Sequence, residues 1–575
     1  MSNIYFLAKS EKLIQKISLV TKFPIINNLN NIDVDNDILV VLQKELDTTF
    51  NRLLGSRNYK HLIVIGLSND EDGIRFSSFS NGKIGCPICI STYIEESFYK
   101  IHNVNLKIDF LDETILQILK IKNKSKYQQI IDFSGNGNIK LNLLFPSIHC
   151  EECKELYDYS FRVPEPHFFN QKSFRKLNHK MIGKIVSNIP FGQYSMFDKP
   201  EIFKYNDIYI SRVKIKDRKN TYGIGRSYIK QKSINIAVLE SLERLSLKGF
   251  MKFSKSVKDK YTSLDNAIHP EMLIGNKHSF NKNSKYHWIE GIELNTNKKV
   301  LIPEQLVFLQ DNITLQKKKE LRFYSPTSNG TSLGGSYIES VFFAVIECLE
   351  RHYGLRAWDY KKNLIRWRLS FFENNQNIMK LINFFEKNNC EIHIISTSNI
   401  KIISTIWIYI SWNNGQLNAL GSGISPEEAV EGALLELFTG FLNFKNISKE
   451  QLIRTNYLNQ TNKLENMEDH VLYYLQKKKN YKFSFIKDIP YEKVNNFKKL
   501  ASLVEEEHKK GITKILESLL EEMEKLNKRV YVVNITPPII KKVHNNFSVV
   551  KAFISNSNQF NFGYYANNHN PHPFL

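Results

Sequence analysis

Charged side chains at repeating offsets are where this sequence could do chemistry. Glu339, Glu347, Glu350 and Arg351 lie in SYIESVFFAVIECLERHYG, and Glu240, Glu243 and Arg244 close NIAVLESLERL with the same E-x-x-E-R ending. In a third stretch, SPEEAVEGALLELFTG, Glu436 follows Glu428 at the offset that separates Glu347 from Glu339. At 3.6 residues per turn, Glu339, Glu347 and Glu350 gather on one arc of a helix with Arg351 beside them. Val341, Phe342, Val345, Ile346 and Leu349 fill another arc, and Phe343 intrudes among the acids. Carboxylates on one face repel one another, so burying them requires cations, which a divalent metal with bound phosphate supplies. A solvated amphipathic helix accounts for any one copy taken singly. Three copies, each degraded differently, are better explained by a shared centre. Lys232 stands where the first copy would match Glu339, and Thr439 and Gly440 replace the last acid and arginine of the third.

Glycines precede each acidic helix: Gly223 and Gly225, then Gly330, Gly334 and Gly335, then Gly421 and Gly423. The pattern predicts a glycine-rich turn opening into a helix three times over. Ile402–Ile410 and Arg529–Ile535 read as buried strands, and residues 449–528 as charged helices, which together give an α/β (α+β) class. No G-x-x-x-x-G-K-[ST] loop is present, so a nucleotide would be held without one. Cys348 and Cys390 are single thiols read as structural, and His470 reads as packing.

Cys86 and Cys89, with Cys150 and Cys153, form two C-x-x-C knuckles separated by residues 90–149. Four thiolates suit a closed, structural zinc site; a redox pair or two disulfides are the alternatives, the latter disfavoured in a reducing compartment. Residues 1–165 alternate short β-type runs, such as Ile38–Leu42 and Leu62–Ile65, with polar loops. Pro164 and Pro166 then stiffen the junction, which sets a first domain at 1–165, a linker at 166–174 and a second domain at 175–575.

A chain of 575 residues, 42% hydrophobic and 24% charged, is that of a globular protein with more than one domain. Its net charge of +21 would suit a polyanion, but the lysines are spread along the chain, so a zinc-containing nucleic-acid-binding protein is the weaker reading. No apolar run reaches membrane-spanning length, and MSNIYFLAKSEKLIQ lacks the succession of a signal peptide. A cytoplasmic protein without a membrane partner is expected.

Taken together, the two E-x-x-E-R helices, the S-x-G start at Ser328, the outer Glu339, Trp358-Asp359 and the ending Pro571-His-Pro-Phe-Leu575 resemble the YcaO family over residues 175–575. The resemblance implies that Glu240, Glu243, Glu339, Glu347 and Glu350 hold the magnesium ions of ATP, with Arg244 and Arg351 at its phosphates and Glu436 a weaker contributor. Glu347, Glu350, Arg351 and the C-terminal carboxylate of Leu575 would act directly in catalysis, the last, or a site histidine, as general base. The paired knuckles resemble the zinc-bearing remnant of the ThiF-like, ubiquitin-activating-enzyme-like domain fused to YcaO domains in azoline-forming cyclodehydratases. Such enzymes convert Cys, Ser or Thr of ribosomally made precursor peptides, including thiopeptide precursors, into thiazolines or oxazolines. Implied partners are the precursor, a separate leader-binding ThiF-like protein (no winged-helix segment is apparent), an azoline dehydrogenase acting afterwards, and a second copy of the chain. Thioamide or amidine formation is the alternative chemistry for the same site. Three positions depart from the family pattern: Ile224 for a lysine, Asn534 for an acid and Leu575 for the final proline. Composition reads the ending as a frayed tail, whereas the resemblance makes it a strap over the active site.

Overall fold

The computed structural model describes residues 4–7, 23–26, 38–42, 61–67, 74–80, 83–86, 89–90, 93, 111–120, 125–133, 139–148, 150, 153 and 156, and 173–574 except 217–220, 249–255, 276–278, 326, 399, 401, 414 and 561–570. The expected linker therefore lies almost wholly outside the described residues, as does Leu575.

The N-terminal part is one seven-stranded sheet. Its strands are β1 (Ile4–Leu7), β2 (Ile25–Ile26), β3 (Ile38–Leu42), β4 (His61–Leu67), β5 (Ile74–Ser80), β6 (Gln128–Phe133) and β7 (Ile139–Leu144), in the order β2-β1-β3-β4-β5-β6-β7. Pairing is parallel from β2 to β4 and antiparallel from β4 to β7. The apolar run in β4 suits a central strand covered on both faces: Leu62 and Val64 enter one core, Ile63 and Ile65 another. Cys86 follows β5 and Cys150 follows β7, which flank β6, so the antiparallel meander closes the long gap between the knuckles.

Beyond residue 173 the three acidic helices recur as strand–helix hairpins. Strands β8 (Glu201–Tyr205), β9 (Ile208–Lys214) and β10 (Tyr222–Ser227) form an antiparallel sheet, on which α1 (Lys230–Ser246) folds back. A second sheet contains β11 (Val257–Lys260), β12 (Lys285–Glu293), β13 (Lys298–Pro303), β14 (Thr331–Gly334), β19 (Val530–Asn534) and β20 (Ser548–Ile554), ordered β11-β12-β19-β20-β14 with β13 on β12. Helix α2 (Tyr337–Tyr360) leaves β14. The third sheet, β15 (Ile365–Trp367), β16 (Glu391–Ser396), β17 (Ser404–Trp412) and β18 (Gly415–Gly423), launches α3 (Pro426–Phe444).

The expected glycine turns are mostly strands. Gly223 and Gly225 lie within β10, Gly334 ends β14, and Gly421 and Gly423 lie in β18. Their role is close approach of the helix. A Cβ at Gly225 would sit 1.9 Å from the Ser233 carbonyl oxygen, at Gly223 2.2 Å from that of Ala237, and at Gly421 2.3 Å from that of Ala429. Such distances are far inside van der Waals contact, so glycine is what lets helix backbone lie directly on strand backbone. Only Gly330, at φ 70°, makes a left-handed turn of the expected kind.

Candidate functional site

Each hairpin sends carboxylates toward the other two. Glu243 on α1 accepts from the Leu333 N–H of β14 at 2.9 Å, and Glu347 on α2 accepts from the Gly330 N–H at 3.1 Å. Glu240 accepts from the Ile224 N–H at 2.7 Å and from Arg244 at 2.6 and 3.0 Å. Glu350 accepts from the Ser422 hydroxyl of β18 at 2.7 Å and lies 3.3 Å from Arg351 Nη1, while Arg351 Nη2 is 3.8 Å from Glu347. Glu436 on α3 lies in the field of Arg351, Arg226, Glu350 and Glu240. The side chains of Glu240, Glu347 and Glu350 remain 25%, 28% and 11% accessible. Protein surrounds them, yet a ligand could reach them.

Burial and mutual repulsion dominate the electrostatics. Burial, then the charges of Glu347 and Glu240, push Glu243 up to about 8. Burial also pushes Glu347 up to about 7, with Arg351 opposing and Glu350 adding. Burial raises Glu436 as well, against Arg351 and Arg226. In Arg351 burial works against the cation, but Glu350 and Glu347 outweigh it and its pKa rises. Such a cluster favours an added cation, and its all-oxygen donor set is what a hard divalent ion takes. The residues present therefore fit magnesium.

Glu339 is engaged differently. It is buried two turns, about 12 Å, before Glu347, and accepts from Arg175 Nη1 at 2.9 Å and the Lys176 N–H at 3.0 Å. The intruding Phe343 carries the Arg175 guanidinium 3.7 Å from its ring centre.

Two cations at this centre were not singled out from the sequence. Lys551, buried in β20, donates to the carbonyls of Thr327 (2.7 Å) and Asn329 (2.5 Å). Burial pulls it down to about 8, against the pull of Cys348, Glu347 and Glu243. A lysine inside the apolar run Val549-Val550-Lys551-Ala552-Phe553 was the available signal, because an isolated buried charge is costly. Arg226 donates its Nε–H to Thr439 Oγ1 at 2.7 Å, so the residue that replaces the third copy's terminal acid supports a cation instead. Cys348, pushed up to about 12 by burial, contacts the Ala552 carbonyl at 3.4 Å and is built as a core thiol.

The chain end is no frayed tail. Residues 571–574 are buried, Phe574 bridges Asn418 of β18, and Tyr474 donates to the Pro571 carbonyl at 2.5 Å. His470 Nδ1 bonds the His572 carbonyl at 2.9 Å, which gives that histidine a use beyond packing.

The four knuckle thiols are buried, unbridged and mutually adjacent, all within 4.8 Å of one another. Cys86 to Cys150 and Cys89 to Cys153 each measure 3.4 Å, and Cys86 to Cys89 3.7 Å. A tetrahedral zinc with bonds of about 2.3 Å needs edges of about 3.8 Å. Hydrogen bonds from Cys153, Cys86 and Cys89 hold Cys150 far below the usual thiol range, a buried negative charge that a metal would neutralise.

A family model described as YcaO cyclodehydratase, ATP- and Mg2+-binding, matches residues 224–556. Among solved structures the chain is similar to a heterocyclase in complex with substrate and cofactor (TM-score 0.70, 13% identity, covering 98% of this chain and 83% of that one). It is also similar to the heterocyclase TruD (TM-score 0.59, 13% identity, 98% and 81%). A YcaO protein from Methanopyrus kandleri, bound with AMPPCP and Mg2+, aligns over 69% of this chain and 97% of its own at TM-score 0.49 and 13% identity. No curated protein matches the chain.

Proposed function

The chain belongs to the YcaO family of ATP- and Mg2+-binding cyclodehydratases, and from that premise we propose that it forms thiazolines or oxazolines in a ribosomally made precursor peptide. The observation that carries this reading is the convergence of carboxylates from three strand–helix hairpins, with Glu243 of α1 in the field of Glu347 on α2 and Glu436 of α3 in the field of Arg351 and Glu350. A Cys, Ser or Thr side chain of the substrate adds to the preceding amide carbonyl, and the oxyanion attacks the γ-phosphorus of ATP. The addition closes the ring and ADP leaves; loss of phosphate together with the amide N–H proton, taken by a base, then forms the C=N bond of the azoline. Glu240, Glu243, Glu347, Glu350 and Glu436 would hold magnesium, which offsets charge on the triphosphate when bound. Arg244, Arg351 and Lys551 would face the phosphates, Glu339 would support the outer end, and the Leu575 carboxylate or a site histidine would serve as base.

Residues 1–165 act as a ThiF-like remnant with zinc on Cys86, Cys89, Cys150 and Cys153, a reading supported by the thiol geometry and by fold similarity to heterocyclases over nearly the whole chain. A separate leader-binding protein and a second copy of the chain complete the assembly in the cytoplasm. Among the described residues no helix is long and apolar enough to cross a membrane.

The test is ATP hydrolysis by the chain with its precursor and leader-binding partner, followed by mass spectrometry of the peptide. Precursor-stimulated hydrolysis with loss of one water per ring is expected; exchange of oxygen for sulfur without that loss would refute ring formation. Proton and metal also compete for Glu243 and Glu347. The magnesium concentration for half-maximal hydrolysis is therefore expected to fall as pH rises and to level off above about 8, where both are ionised. A flat profile between pH 6 and about 8 would remove these two as metal ligands.

A further inference from the structure

The carboxylate centre and the chain terminus are joined by a column of rings. Arg351 places its guanidinium 4.6 Å from the centre of the Phe560 ring. On that ring lies His572, at 4.2 Å and 13° from parallel, and beyond it His470, at 4.3 Å and 28°. All three rings are buried. Asn329 pins Phe560 by donating to its carbonyl at 3.3 Å. His470 Nδ1 holds the His572 carbonyl, so the last ring of the column also fixes the strap that carries the second.

From this we infer that Phe560 and His572 are positioning residues for Arg351, and that the terminal strap is thereby a structural part of the nucleotide site. The carboxylates hold one side of the guanidinium, Glu350 at 3.3 Å and Glu347 at 3.8 Å. A ring on another side limits the directions in which it can turn, and cation–π contacts favour that placement. His572 acts through its flat face, which stacks on Phe560 on one side and on His470 on the other.

The inference rests on the reading of the centre as an ATP site, and the experiment separates the two. Binding of a fluorescent ATP analogue with magnesium is measured on the full-length chain for wild type, Phe560→Leu, His572→Ala and His572→Phe, alongside each thermal midpoint. Phe560→Leu retains apolar bulk and removes the ring; it is expected to weaken binding about tenfold. His572→Ala should weaken it several-fold, and His572→Phe should restore it, since phenyl stacks but carries no proton. Wild-type affinity in Phe560→Leu, or failure of His572→Phe to exceed His572→Ala, overturns the inference while leaving the ATP site intact. Absence of nucleotide binding by the wild-type chain refutes the site itself and the inference with it.

Discussion

Glu347→Gln is expected to lower precursor-stimulated ATP hydrolysis by more than about 100-fold, because it removes one charge from a metal-binding set whose members act together. The amide oxygen can still accept from the Gly330 N–H, so the α2 hairpin keeps its contact. Stability should not suffer. The folded pKa of Glu347, about 7, lies above its ordinary 4.5, so its contribution to stability is present below about 4.5 and lost as pH rises through about 7. At pH 8 without metal, the neutral variant should therefore melt at or above the wild-type temperature. Glu428→Gln is the control. Glu428 is exposed at the start of α3, where its side chain accepts from the nearby Ile424 N–H, so hydrolysis should be unchanged. Wild-type turnover in Glu347→Gln would refute the site.

The second large effect concerns the thiols. Cys150→Ser is expected to eliminate one equivalent of bound zinc and to lower the unfolding midpoint by roughly 10 °C, as loss of a structural metal from a buried site should. The loss would spread beyond the knuckles, because the four cysteines share a core cluster with Leu177, Tyr194 and Phe197 from the other part of the chain. Phe145 meets Phe197 at 5.1 Å, and Tyr194 donates to Asp132 at 3.0 Å. Cys390→Ser, at a lone thiol, should leave the metal content unchanged. Metal analysis of protein purified without chelators decides the matter, and a wild-type chain that carries no zinc would overturn the assignment.

Much of the architecture was legible locally. The strands expected at Ile402–Ile410 and Arg529–Ile535 appear as Ser404–Trp412 and Val530–Asn534, and the E-x-x-E-R spacing was enough to orient Glu347, Glu350 and Arg351 together. Less legible was what the glycines were for. A glycine before a helix signals a turn when only neighbours in sequence are weighed, and the pressure that excludes a side chain at Gly225 comes from a helix returning onto the strand. Glu339 shows the limit of a helical arc. Its angle on the helix lies within about 20° of that of Glu350, yet Arg175, 164 residues earlier, takes it as a partner.

The sequence by itself determined which side chains carry charge or thiol and which face of each helix or strand they leave by, since those follow from residue type and backbone period. Tertiary structure alone decided what they meet. Three separated hairpins converge their acids, β20 inserts Lys551 among them, the meander of β5 to β7 closes the cysteine gap, and burial turns a polar, proline-broken ending into an ordered strap. Mutual repulsion and desolvation depend on distance through space, and so does the shift of Glu243 to about 8; chain spacing carries no record of either.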